Sequence, residues 1–135
     1  MGALRRATLL DTTFLINLQR ELAGGRMHRA GRLLSSNPDA APWISLFTWM
    51  EFAEGYPAEK DDAGRLFLSR FSLILPDSAI DWRAARISRK LRESGSTIGD
   101  HDVWIAATAI ERDLPLVTRN PRHFRRIPDL KILGY

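Results

Sequence analysis

Five short, mainly apolar runs, at residues 7–10, 43–45, 73–75, 116–118 and 131–133, punctuate a chain whose intervening segments carry helical periodicity. Runs that short read as strands, and the stretches between them read as helices of about a dozen residues. Phe14, Leu15, Leu18 and Leu22 recur at helical spacing, and Gly24-Gly25 ends that pattern. A second helix is predicted over 27–34, closed by a Ser/Asn/Pro/Asp loop at 35–39, and further helices over 46–55 and 63–71. After the buried-strand candidate at 73–75, Asp77 or Asp81 caps a helix that runs to Ser94, with Gly95 as its stop. Ile105, Ala106, Ala109 and Ile110 mark a helix over 102–112. Strands alternating with helices in this way fold as right-handed βαβ units around a mostly parallel sheet, an α/β domain.

With 135 residues, of which 44% are hydrophobic, the chain suits one domain, residues 1–135. No window approaches the ~18–20 apolar residues of a membrane-spanning helix. The apolar stretch behind the basic opening residues stops at Asp11, too short for a secretory signal, so the cytoplasm is the expected compartment. The chain has no cysteine, which excludes disulfides and thiolate metal sites and leaves oxygen and imidazole ligands for a hard cation. A formal charge of +4 is compatible with a polyanionic partner without identifying one.

In a parallel α/β sheet, ligands gather beyond the carboxyl ends of the strands, so acids at those ends are the candidates for chemistry. Asp11 closes the first apolar run and serves either as a helix cap or as a site residue. Glu51 lies in a helix among Leu46, Phe47, Met50 and Phe52, nearer the core than a solvated glutamate, whereas Glu54 reads as surface. The IGDHD segment at 98–102 sets two carboxylates before an apolar helix. Asp100 is placed to cap it, leaving Asp102 in the first turn, where the helix dipole favours negative charge. Carboxylates that converge on one point repel one another, a cost that a divalent cation such as magnesium or manganese removes. Such a cation orients a water for in-line attack and stabilises charge at a phosphoryl centre, which makes phosphodiester hydrolysis the reaction that suits the cluster.

Three segments carry a family resemblance. Residues 9–16 (LLDTTFLI) and 45–55 (SLFTWMEFAEG) resemble the first two acidic motifs of PIN domains, and 95–109 (GSTIGDHDVWIAATA), followed by LVTRN at 116–120 and Phe124, is similar to the signature of the VapC-type members. The resemblance runs nearly from end to end and implies a three-layer α/β/α domain. It also implies a Mg²⁺-dependent endoribonuclease, with Mn²⁺ able to substitute, acting as the toxin of a type II toxin–antitoxin pair and restrained by a cognate antitoxin. Asp11, Glu51 and Asp102 are then the catalytic, metal-binding carboxylates, with Asp100 and Asn120 as further ligands. Thr13 stands where relatives often have Asn, and Asn120 and His123 stand where a fourth acid frequently occurs, so weaker metal affinity is expected. The resemblance, with Phe14 and Trp49 near the first two motifs, predicts a homodimer.

Other residues carry less. Arg119, Arg122 and His123 are candidates for RNA phosphate contact, beside Arg125 and Arg126. Arg83, Arg86, Arg89, Lys90 and Arg92 make one helix strongly basic, either to line an RNA path or to solubilise a surface. His101 is either a proton shuttle or a solvent-facing side chain. Trp43, Trp49, Trp82 and Trp104 are too scattered for a base-stacking platform and read as core or interface. Two other functional classes compete. A PIN domain that has lost catalysis and only binds RNA or a partner is opposed by the retained Asp11, Glu51 and Asp102. A receiver-like signalling domain lacks a late strand-end lysine, because the strand at 116–118 runs into Arg119.

Overall fold

The computed structural model describes residues 7–135; the basic opening residues lie outside that range. Five strands form a single all-parallel sheet: β1 (Ala7–Leu10), β2 (Ala41–Ser45), β3 (Ser72–Ile74), β4 (Leu116–Thr118) and β5 (Ile132–Gly134). Their order across the sheet is β3-β2-β1-β4-β5. Chain order thus runs outward from β1 in one direction and then resumes on its other side, so the switch point lies between β1 and β4, paired in the register Leu10↔Val117.

Alternation along each strand divides the interior into two cores. Leu9 and Leu116 point to one face, against Ile80, Ala84, Ile87, Val103 and Ala106 of α5 (Ser78–Glu93) and α6 (Asp100–Glu111). Leu10, Ile44 and Val117 point to the other, where α1 (Thr12–Ala23), α2 (Arg29–Ser35), α3 (Leu46–Gly55) and α4 (Asp61–Leu68) cover the sheet with Phe14, Leu18, Phe52 and Phe67. This is the expected three-layer α/β/α arrangement. The periodicity locates α3 to the residue and the other major elements to within a few residues. It misses the 3₁₀ turn Ala58–Lys60 and the four-residue α7 (Pro121–Phe124), both too short to repeat a pattern.

Three expectations are corrected. The strand at 73–75 is not buried as a run: β3 is an edge strand, Ile74 alone faces the core, and Leu75 is 61% exposed. Phe14 is fully buried and offers nothing to a dimer surface, while Trp49 is exposed. Asp100 does not cap α6. Gly99 holds the cap position without a side-chain bond, and Asp100 is the first helical residue. Asp77, by contrast, caps α5, and Gly95 ends it with a φ of 68° that favours glycine.

Candidate active site

Asp11 leaves β1 at the switch point, where its backbone N–H donates to Val117 O of β4 at 3.2 Å. Its Oδ1 accepts from Phe14 N at 2.8 Å and caps α1, and Thr118 at the end of β4 hydrogen-bonds its carboxylate. The side chain is only 6% exposed. Burial raises its pKa to about 6, helped by the charges of Asp102 and Glu51 and opposed by the bonds from Thr118 and Phe14.

Glu51 reaches this end of the sheet from the middle of α3, a helix aimed by Ser45, whose Oγ accepts from Thr48 N at 3.1 Å. Glu51 Oε1 accepts from Thr12 Oγ1 at 2.6 Å, and Oε2 lies 3.1 Å from His101 Nδ1. Asp102 occupies the first turn of α6, and its Oδ2 lies 2.8 Å from His123 Nε2 on α7. Each solvent-side carboxylate is thus matched with an imidazole, while buried Asp11 has none among the described residues.

The fold therefore brings Asp11, Glu51 and Asp102 into electrostatic contact from β1, α3 and α6. Asp100 is not among them: two residues before Asp102 on the helix, it lies in a cleft with Ser88, Arg92 and Thr97 on the α5 side. Asn120 is exposed between β4 and α7 and anchored by its backbone N–H, which donates to Thr118 Oγ1 at 3.0 Å. Arg122 is exposed on α7, and the Arg119 guanidinium sits 6.0 Å from the centroid of the Tyr135 ring. His123 touches Asp102, a contact beyond its expected role toward phosphate. His101 follows neither reading alone, since it is exposed yet bears on Glu51. Thr12 and Thr118 are site residues that acid-counting overlooks; a threonine next to each strand-end acid motif is the available signal.

The donor set, carboxylate oxygens at the mouth of a basic chain, suits a hard divalent cation. Among the described residues no three carboxylate or imidazole groups converge closely enough to enclose one. Glu51 and Asp102 would have to turn from their histidines toward Asp11 to do so.

Comparison with known proteins agrees with this geometry. The PIN domain family model matches residues 8–130. Ribonuclease VapC1 of Methanocaldococcus jannaschii is 33% identical over 68% of this chain and 68% of its own length. Ribonuclease VapC19 of Mycobacterium tuberculosis is 32% identical over 91% of this chain and 96% of its own. Among solved structures, a chain of VapBC2 from Rickettsia felis, bound to a DNA fragment from their promoter, superposes with a TM-score of 0.76 at 25% identity, covering 96% of this chain and 98% of that one.

Proposed function

This chain belongs to the PIN domain family, and from that premise we propose that it is a metal-dependent endoribonuclease, the toxin half of a toxin–antitoxin pair. One observation carries the reading: Asp11, only 6% exposed, is set against two further carboxylates, Asp102 and Glu51, with no ion pair of its own among the described residues. An N-cap contributes about 1 kcal/mol, and Asn caps as well as Asp. Ionising Asp11 inside the fold, with its pKa pushed up to about 6 from 3.8, costs roughly 3 kcal/mol at neutral pH. That cost remains after the Phe14 bond is included, and an Asn would cap α1 without it, so the carboxylate serves something other than the helix. A divalent cation held by Asp11, Asp102 and Glu51 is the partner that offsets it.

Magnesium, or manganese in its place, would supply charge stabilisation at phosphorus and a more acidic attacking water. The chain's own residues do the rest. Asp11 is fixed in orientation by Phe14 N and Thr118. Thr12 and His101 hold Glu51, and His123 holds Asp102, at the mouth of the site, where both carboxylates would serve as ligands beside Asp11. Asn120 can add its side-chain carbonyl from the β4–α7 junction. Arg119 and Arg122 offer guanidiniums to RNA phosphates.

An antitoxin partner is supported by the likeness to the R. felis VapBC2 structure and to a toxin–antitoxin complex from Klebsiella pneumoniae. A homodimer is supported by exposed Trp49 and Met50 on α3. No helix among the described residues is long and apolar enough to cross a membrane.

The reading is tested by incubating the purified protein with a pool of transfer and messenger RNA, with Mg²⁺ or with EDTA, and mapping new ends by sequencing. Discrete cuts that require Mg²⁺ and vanish in Asp102→Asn and Glu51→Gln are expected. RNA retained without cleavage by the wild type would support a binding-only domain instead.

A further inference from the structure

Four arginines elsewhere among the described residues are held in ion pairs. Arg83 bonds Glu111, Arg89 bonds Glu93, Arg112 bonds Asp77 and Arg65 bonds Asp61, at 2.6–3.0 Å. One open cleft of about 580 Å³ gathers four arginines that have no such partner. Arg20 of α1, Arg26 of the α1–α2 loop, Arg29 of α2 and Arg119 beyond β4 all line it, and none has an ion pair among the described residues. Its one carboxylate, Glu21, is committed elsewhere: it accepts the backbone N–H groups of His28, Ala30 and Gly31 at 2.6–3.0 Å. Its charge is therefore largely spent on the start of α2.

The cleft abuts the acid site through covalent and packed neighbours. Arg119 follows Thr118, which bonds Asp11. Tyr135, on the cleft wall, packs edge-on against Phe14, whose backbone N–H donates to Asp11, and its hydroxyl accepts from Asn17 Nδ2 at 3.0 Å. A second basic cleft, of about 610 Å³ beside α5, makes a useful contrast. It contains Arg83, Arg86, Arg89, Lys90 and Arg126, but also Glu93 and Asp129, and two of its arginines are already bonded to glutamates.

We propose that the cleft formed by Arg20, Arg26, Arg29 and Arg119 binds the phosphodiester backbone of the RNA strand on one side of the scissile bond. This rests on the ribonuclease reading and adds to it a track for the substrate. Four guanidiniums without an ion pair among the described residues, on an open wall whose one large ring is Tyr135, fit a chain of phosphates at about one charge per nucleotide. The Arg119 end of the track adjoins the acid site through Thr118, so the strand is held by its flanking phosphates while the acid site receives the scissile one.

The experiment measures binding of a fluorescent, uncleavable 2′-O-methyl oligoribonucleotide by anisotropy across a salt series, without divalent metal. Wild type is compared with the cleft variant Arg20→Gln/Arg26→Gln/Arg29→Gln and the α5 control Arg86→Gln/Lys90→Gln/Arg126→Gln, each shown to be folded by its thermal melt. The cleft variant should lower the slope of log affinity against log salt by about 2 and weaken binding on the order of a hundredfold at 0.1 M salt, while the control changes the slope by less than half as much. An unchanged slope in the cleft variant, or an equal loss in the control, overturns the assignment while leaving the ribonuclease reading in place. If the wild type binds no RNA, both fall together. Poly-glutamate serves as the competing probe. If the cleft variant loses affinity for it and keeps its affinity for RNA, the cleft serves an acidic protein segment and the proposal is wrong.

Discussion

Asp11 and Asp77 occupy the same local position and behave in opposite ways. Each follows a strand, each adopts extended backbone, and each caps the next helix through Oδ1, to Phe14 N at 2.8 Å and to Ile80 N at 2.9 Å. Asp77 lies past the edge strand in solvent. The Arg112 side chain 2.6 Å away, with the Ile80 N–H, holds its carboxyl below the ordinary range. Asp11 lies at the centre of the sheet, where burial and two further carboxylates push it up to about 6. The cap motif is thus a property of sequence, and the chemistry is a property of where the topology sets it down. An acid at the edge finds an arginine; an acid at the switch point finds other acids.

That contrast can be broken by making the same substitution twice. The largest effect should be on cleavage: Asp11→Asn should reduce Mg²⁺-dependent RNA hydrolysis by at least about a hundredfold, the scale of a lost catalytic group, while Asp77→Asn stays within about twofold of the wild type. Gel-resolved initial rates measure both. Equal losses in the two variants would reduce Asp11 to a structural cap.

The next effect is on stability without metal. At pH 7.5, Asp11→Asn keeps the cap and removes the buried charge, so urea unfolding should show it more stable than the wild type by up to about 3 kcal/mol. Asp77→Asn should be less stable than the wild type, since it gives up a charge paired with Arg112. A smaller effect of the same origin is its pH dependence. The folded-state pKa of Asp11 lies above 3.8, so its protonated form favours the fold below about pH 4, and that contribution is lost as pH rises through about 6. The gap between Asp11→Asn and wild type should therefore open between pH 4 and 7. Asp77 is depressed, and so is Glu21, where three backbone N–H bonds outweigh burial. Their contributions are present above the ordinary carboxylate range and lost only on further acidification, so they leave that window to Asp11. A gap that stayed constant across the range would contradict the assignment.

The smallest expected effect separates the two sites by metal. Millimolar Mn²⁺ should raise the melting temperature of the wild type and of Asp77→Asn, by mass action on the native state, and raise that of Asp11→Asn and Asp102→Asn less. Equal shifts in all four proteins, read by differential scanning fluorimetry, would remove the cation from the account.

Much of this was legible along the chain because periodicity reports local structure. The strands, α1, α3 and α5 follow from apolar spacing, and Asp11, Glu51 and Asp102 follow from acids at strand ends together with the family motifs. What was not legible depends on distance in sequence. Glu51 and His101 are fifty residues apart, and only the packing of α3 on α6 makes them partners. Asp100 and Asp102 share one motif, with Asp100 read as the cap and as a further ligand, yet two residues along a helix is about 200° of rotation, which sends Asp102 to the site and Asp100 toward α5. Leu73 and Leu75 read as core until the strand order puts β3 at the edge. The basic cleft joins the local run Arg26, His28 and Arg29 to Arg20 of α1 and to Arg119 from the far end of the chain, a meeting that no stretch of sequence shows.

The most direct test is the titration of Asp11 itself, followed through the ¹³C shift of its carboxyl carbon in metal-free protein, with the signal assigned by its loss in Asp11→Asn. Asp77 serves as the comparator in the same spectra. The account predicts a midpoint of about 6 for Asp11 and one below 3.8 for Asp77. Adding millimolar Mg²⁺ should move the Asp11 midpoint sharply downward and leave Asp77 where it was. An Asp11 that titrates near 3.8 without metal, or whose midpoint ignores Mg²⁺, would contradict the claim that the centre of this sheet holds a carboxylate destabilised for the sake of a cation.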